Sequence, residues 1–143
     1  GVQSFYGPIQ ALNGVDLDLR KIEVPTYIVS TREDHIAPWV ATYSATQLYS
    51  GPIKFVLSGS GHIAGIINPP ASGKYGFWTN AKKPKSPDKW LEGATKHDGS
   101  WWADWDTWAK KHSPKKLVPA RVPGDGKLKP ICDAPGEYVT AKA

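Results

Sequence analysis

The sequence predicts an α/β fold with a parallel βαβ unit, followed by helices and an irregular tail. Two short apolar segments rich in β-branched side chains, residues 24–30 and 53–57, are typical of buried strands. A segment with helical spacing lies between them, and strand, helix and strand in this order form a parallel crossover. With 143 residues, 40% of them hydrophobic and 22% charged, the chain is long enough for one domain with one core.

The connection between the two strands predicts a helix over residues 38–49. Pro38 suits a first helical turn because its missing N–H costs nothing there. Ser50, Gly51 and Pro52 then end the helix and lead directly into the second strand.

The second half predicts a short extended segment, two helices and a tail. Residues 75–78 are either a short strand or an extended segment, and Ser86 with Pro87 begins a helix that reaches about His97. A second helix covers residues 101–111. The tail, residues 113–143, is rich in Pro, Gly and Lys and has no long periodicity.

An aromatic stripe marks the last helix, where Trp101, Trp105 and Trp108 stand at i, i+4 and i+7. We interpret the stripe as core packing. The alternative is an exposed platform on which bases or sugars stack.

The net charge is +5, and the basic surplus lies in residues 70–143. Much of this surplus lies in two lysine clusters, at residues 82–85 and 110–116. Such clusters are typical of a solvated face, although they can also attract nucleic acid, anionic lipid or phosphorylated ligands. No apolar run approaches the ~20 residues that span a bilayer, and no secretory signal is visible. The single cysteine excludes an internal disulfide framework and a zinc site of paired cysteines, so we expect a cytoplasmic protein.

Two residues with catalytic chemistry follow the two predicted parallel strands. Asp34 lies four residues beyond the first strand and His62 five beyond the second. Loops at the carboxyl ends of neighbouring strands converge, so this carboxylate and imidazole can form the orienting pair of a catalytic triad. The order acid then histidine is that of the α/β-hydrolases. The alternative is an ordinary surface aspartate and histidine.

The chain has no nucleophile elbow of the form G-x-S-x-G or G-x-C-x-G. Ser60 lacks the flanking pattern, and Cys132 lies in the tail without glycines beside it, as an incidental thiol. If Asp34 and His62 belong to a triad, we therefore expect the third member upstream of Gly1, in a longer enzyme of which this chain is a C-terminal piece.

Four segments carry a resemblance to a known family. They are VPTYIVSTREDHIAPW (24–39), KFVLSGSGHIAGIINPP (54–70), DGSWWADWDTWAKK (98–111) and APGEYVTAKA (134–143). The chain resembles the C-terminal part of the polyhydroxyalkanoate synthases, which polymerise 3-hydroxyacyl-CoA into polyester. The form HIAGIINPP is most similar to the single-subunit, class I synthases, and residues 113–130 are the least typical.

The resemblance implies a Cys-Asp-His triad on the C-terminal portion of an α/β-hydrolase-like fold, with residues 1–112 in the catalytic domain and 113–143 as the tail. Asp34 and His62 match the triad, His35 matches a position near the site, and the cysteine has no counterpart. The aspartate either orients the histidine or helps to deprotonate the 3-hydroxyl of the next acyl group. No metal or redox cofactor is implied, and CoA is a product of the thioester substrate.

The resemblance also implies partners and a location. The expected partners are a 3-hydroxyacyl-CoA, the upstream part of the enzyme, a polyester granule surface in the cytoplasm and a second copy in a homodimer, with no nucleic acid and no transmembrane segment. An esterase or depolymerase on the same fold and a non-catalytic basic, Trp-rich binding module remain the alternatives.

If the chain supplies only the two parallel strands of a larger sheet, one edge of that sheet is left unpaired where the upstream strands belong. We expect incomplete burial of its apolar residues, which are Tyr27, Val29, Phe55 and Leu57. The chain alone is then marginally stable.

Overall fold

A computed structural model of the chain describes the backbone of residues 2–6 and 9–15 and, with side chains, residues 18–122, 124 and 126–141. The chain divides into two compact units, Gly1–Ser113 and Pro114–Ala143. The strands of the first unit are β1 (Val2–Tyr6), β2 (Ile9–Val15), β3 (Thr26–Thr31), β4 (Ile53–Ser58), β5 (Phe77–Thr79) and β6 (Thr95–His97). Its helices are α1 (Trp39–Tyr43), α2 (Pro87–Glu92) and α3 (Trp102–His112).

The main sheet is mixed and has the order β3-β4-β5-β6. β3 and β4 are parallel, with Thr26 opposite Ile53 and Thr31 opposite Ser58, which confirms the predicted βαβ unit. β5 runs antiparallel to β4, and β6 runs antiparallel to β5. The architecture is therefore compatible with the α/β class that the sequence predicts.

The crossover helix is shorter than predicted. α1 ends at Tyr43, and the tighter 3₁₀ turn Ser44–Gln47 continues it in place of one regular helix over 38–49. Serine and threonine compete with helical hydrogen bonding through their own hydroxyls, and this stretch has three of them, at Ser44, Thr42 and Thr46. The short helix still returns the chain to a position beside β3.

The prediction of a helix over residues 86–97 is wrong beyond Glu92. The predicted start is present, because the Ser86 hydroxyl accepts a hydrogen bond from the Lys89 N–H at 3.3 Å. Gly93 then ends α2, and residues 95–97 become β6, whose His97 ring stacks on Phe77 at 4.8 Å. Pairing with β5 overrides the local helical pattern.

One face of the sheet packs under α1 and α2. The core of this face consists of Tyr43, Phe55, Leu57 and Trp90. Phe55 and Leu57 are only 2% and 0% exposed, so the expectation that they are incompletely buried is wrong. β5 covers the free side of β4, and the helices cover its face. Tyr27 and Val29 lie on β3, at the edge of the sheet in the described part of the chain, and are half-buried.

The opposite face packs against α3 and the residue before it. Val56, Phe77 and Trp101 form its buried core. Of the tryptophan stripe, Trp101 is buried and Trp108 packs on Tyr27 with ring centroids 5.4 Å apart. Trp105 is 47% exposed, so for this residue the prediction of core packing is wrong.

The second unit has one regular element, the 3₁₀ turn Tyr138–Thr140, in the residues that the structure describes. In the first unit, β1 and β2 pair antiparallel, and no sequence pattern had indicated them. None of the described helices has the length and apolar character needed to cross a membrane.

A polar contact fastens α3 to the edge of the sheet. The Tyr27 hydroxyl donates to Asp104 Oδ2 at 2.8 Å, and Lys54 Nζ donates to Oδ1 of the same carboxylate at 2.6 Å. Burial, together with the hydrogen bond to Asp104, raises the pKa of Tyr27 far above its usual range, so its hydroxyl stays protonated as a donor.

Removal of this hydroxyl is expected to destabilise the fold. Tyr27→Phe leaves a half-buried carboxylate oxygen without its donor, which lowers the free energy of unfolding by about 1–2 kcal/mol. Urea unfolding of the chain measures the change. The matched control is Asp106→Asn, which breaks the exposed Asp106–Lys110 pair of α3 and costs about 0.3–0.5 kcal/mol. Equal losses in the two variants would show that the Tyr27 contact contributes nothing beyond a surface pair.

Candidate active site

Asp34 lies in the turn that follows β3, and its carboxylate is held by four groups. The backbone N–H groups of Ile36 and Ala37 donate to Oδ1 at 2.9 and 2.8 Å. The Thr31 hydroxyl donates to Oδ2 at 3.3 Å. Aspartate forms such turns readily because its short side chain reaches the backbone two and three residues ahead. The fourth group is a histidine nitrogen.

His62 supplies that nitrogen. Its Nδ1 lies 2.7 Å from Asp34 Oδ2, which confirms the prediction that the two side chains meet on adjacent loops. An ionised carboxylate only accepts hydrogen bonds, so Nδ1 carries a proton, and in the neutral imidazole the lone pair is then on Nε2. Nε2 has no hydrogen-bond partner in the described residues, and the side chain is 46% exposed. The imidazole is therefore oriented as a base whose free nitrogen is accessible.

The two loops are joined through their backbones. We call residues 59–67 the histidine segment. The N–H of Arg32 donates to the Ser58 carbonyl at 2.8 Å, and the N–H of Glu33 donates to the Ser60 carbonyl at 3.0 Å. Ser60 has φ = 70°, a left-handed conformation that a non-glycine residue rarely adopts. Such strained positions persist where the surrounding structure holds them, and here the strain lies at the start of the segment that carries His62.

The environment of Asp34 favours its ionised form. The Ala37 N–H is the largest cause, the His62 and Ile36 hydrogen bonds add to it, and partial burial opposes them. Together they lower the pKa of the Asp34 carboxyl to about 2. The carboxylate is therefore charged over the whole physiological range, as a group that stabilises an imidazolium must be.

The titration of Asp34 is a direct check on this geometry. A folded pKa of about 2 lies below the ordinary value near 3.9, so the stability from these contacts is present above about pH 4 and is lost as the pH falls toward 2. We expect the Asp34 carboxyl carbon to titrate near pH 2 in an NMR experiment on the chain. A midpoint near 3.9 would show that the carboxylate lacks these donors in solution.

His35, the candidate beside the aspartate, is exposed, and its ring makes no hydrogen bond within the described residues. Cys132 is an exposed thiol of the second unit. The described residues include no group of three or more His, Cys, Asp or Glu side chains placed to hold a metal ion.

Sequence reasoning missed the groups that hold the carboxylate. Thr31 is the last residue of β3, and a strand-end threonine gives no signal of its own. The N–H groups of Ile36 and Ala37 belong to the backbone and are therefore invisible in the side-chain pattern. The aspartate itself, four residues before the helix-starting Pro38, was the one available sign of such a turn.

The chain is similar to curated proteins that are named poly(3-hydroxyalkanoate) polymerases. It is 52% identical over 131 residues to the poly(3-hydroxyalkanoate) polymerase subunit PhaC of Cupriavidus necator, covering 91% of this chain and 22% of that protein. It is 44% identical over 133 residues to the polymerase of Methylorubrum extorquens, covering 92% and 22%. It is 42% identical over 128 residues to PhaC of Rhizobium etli, covering 90% and 20%.

The chain thus spans about a fifth of the length of these relatives. No protein-family model matches it. At 42–52% identity over about nine tenths of its own length, the chain is thus similar to a part of proteins that are named poly(3-hydroxyalkanoate) polymerases.

Proposed function

We propose that this chain supplies the aspartate and histidine of a Cys-Asp-His triad in a polymerase that joins 3-hydroxyacyl groups from CoA thioesters into polyester. The observation that carries the proposal is the 2.7 Å contact between Asp34 Oδ2 and His62 Nδ1 at the carboxyl ends of two parallel strands. The similarity to named polymerases supports the reaction class. The nucleophilic cysteine lies in the part of the polymerase upstream of this chain.

The oriented imidazole explains the first half of the reaction. His62 Nε2 takes the proton of the upstream thiol, and the thiolate attacks the thioester carbonyl. The C–S bond to CoA breaks, and the leaving thiolate takes the proton back from the imidazolium, so free CoA and an acyl-enzyme result. Asp34 stabilises the imidazolium in between.

The same imidazole serves the second half. It accepts the proton of the 3-hydroxyl of another acyl group, whose oxygen attacks the acyl-enzyme carbonyl and forms the ester bond. The C–S bond to the cysteine breaks, and the cysteine thiolate takes the proton back from the imidazolium. Four hydrogen bonds already engage the Asp34 carboxylate, which favours an orienting role for Asp34 over direct deprotonation of the hydroxyl.

The proposal extends to the setting of the whole enzyme. Residues 1–112 belong to the C-terminal portion of an α/β-hydrolase-like catalytic domain of class I type, and residues 113–143 form its tail. The complete enzyme is a cytoplasmic homodimer that works at the surface of the polyester granule, with 3-hydroxybutyryl-CoA as its substrate. The parallel β3–β4 pair and the acid-then-histidine order support the assignment of residues 1–112 to an α/β-hydrolase-like domain.

One assay separates this function from hydrolysis by the same pair. Full-length polymerase that contains this chain is given 3-hydroxybutyryl-CoA, and released CoA, insoluble polyester and free 3-hydroxybutyrate are measured. We expect CoA and polyester in equal acyl equivalents. CoA with free 3-hydroxybutyrate and no polyester would identify an esterase and contradict the proposal.

A further inference from the structure

We propose that Trp101 and Trp102 are positioning residues for His62, through the hydrogen bonds that their indole N–H groups make to the histidine segment. The inference rests on the proposed function, since it assigns these residues to the same site.

The histidine segment has little regular structure to hold it. Residues 62–66 form successive turns, in which the Gly65 N–H donates to the Gly61 carbonyl at 3.0 Å. The N–H groups of Ile66 and Ile67 both donate to the Ile63 carbonyl, at 3.1 and 2.9 Å. Three turn hydrogen bonds within the segment do not fix the placement of a side chain against a neighbouring loop. Other contacts must hold the segment on the sheet.

The two indoles supply those contacts from 36 residues further along the chain. Trp101 Nε1 donates to the Gly65 carbonyl at 3.0 Å, and Trp102 Nε1 donates to the next carbonyl, that of Ile66, at 2.9 Å. The Ser58 hydroxyl also donates to the Gly65 carbonyl, at 2.8 Å. The carbonyl of Ile66 is thus held by the first residue of α3, and the carbonyl of Gly65 is held by the residue before α3. The Gly65 carbonyl is also held by the last residue of β4.

Close packing links this anchor to the carboxylate. A Cβ added to Gly65 would lie 2.5 Å from the Gly59 carbonyl oxygen and would also collide with the methyl group of Thr31. Glycine is therefore required for the segment to lie this close to the end of β3. The hydroxyl of the same Thr31 donates to Asp34, so the anchored turn and the carboxylate share one side chain.

The arrangement fixes the histidine relative to the carboxylate. His62 lies three residues before Gly65, so a shift of the anchored carbonyls moves the imidazole directly. Displacement of a reacting group by about 1 Å costs on the order of 10²-fold in rate. An indole-to-phenyl change keeps an aromatic ring at the position but removes the donor, and it therefore tests the hydrogen bond apart from the packing.

The experiment uses full-length polymerase that contains this chain, with Trp101→Phe and Trp102→Phe as separate variants. Trp105→Phe is the matched control, because the Trp105 indole is 47% exposed and makes no hydrogen bond through Nε1 to a described residue. CoA release from 3-hydroxybutyryl-CoA gives kcat and KM, normalised to the folded fraction from circular dichroism. We expect kcat to fall by about 10- to 100-fold in both test variants, with KM within about twofold, and no change in the control.

A fall in melting temperature with unchanged kcat per folded enzyme would overturn the inference, since the tryptophans would then be structural only. If Trp101→Phe does not fold, the half-buried Trp102 carries the same test on the neighbouring carbonyl. His62→Ala is measured in parallel. Full activity in His62→Ala would refute the proposed function itself, whereas an inactive His62→Ala beside fully active tryptophan variants would refute the positioning role alone.

Discussion

His62→Ala is expected to lower CoA release by full-length polymerase about 10⁴-fold or more. Nothing else in the described residues lies against Asp34 as a base, so the thiol proton has no acceptor without the imidazole. Removal of the histidine from a triad costs nearly as much as removal of the whole triad, because its members act as a unit. The initial rate of CoA release from 3-hydroxybutyryl-CoA measures the loss.

The matched control for this variant is His112→Ala. His112 is an exposed histidine at the end of α3, and its Nδ1 lies 2.9 Å from the Trp108 carbonyl. We expect its activity to equal that of the unmodified enzyme. A His62→Ala enzyme with more than a tenth of normal activity would mean that another group takes the proton.

Asp34→Asn is expected to lower kcat by about 10³- to 10⁴-fold with little change in KM. The amide has nearly the shape of the carboxylate, but it carries no charge to stabilise an imidazolium. Its NH₂ group also cannot accept the Nδ1 proton of His62, so the variant favours the wrong tautomer. Steady-state kinetics on folded enzyme measure the effect.

Glu33→Gln is the control for the aspartate, because Glu33 is an exposed neighbouring carboxylate without a side-chain hydrogen bond to the described residues. It should keep normal kcat. If both variants lose activity equally, the general charge of the loop matters and the specific contact with His62 does not.

The candidate site could be predicted because its signal is local. Two β-branched apolar segments predict parallel strands, and the strand ends bring Asp34 and His62 together regardless of the details between them. The prediction that the two side chains meet depended only on where the two strands begin and end. The observed start of β3, at Thr26, is two residues from the predicted one, and the observed end of β4, at Ser58, is one residue from it. The catalytic roles of the pair stay a proposal.

The remaining elements depend on long-range contacts that no local pattern shows. Residues 95–97 become a strand because β5 lies beside them, although the residues before them begin a helix. Phe55 and Leu57 are buried because β5, α1 and α2 cover β4, which a two-strand unit could not indicate. Trp105 shares the helical spacing of Trp101 but is 47% exposed, since three residues at helical spacing need not all reach one core.

Complementation tests most directly whether this chain completes a thiol-dependent acyltransferase whose cysteine lies elsewhere. This chain replaces the matched 131-residue part of the Cupriavidus necator polymerase, and CoA release and polyester are measured for the chimera, for the relative without that part and for this chain alone. Cys132→Ser in the chimera tests the chain's own thiol. We expect activity only in the chimera, unchanged by Cys132→Ser. Release of CoA by the chain alone that Cys132→Ser abolishes would contradict the account.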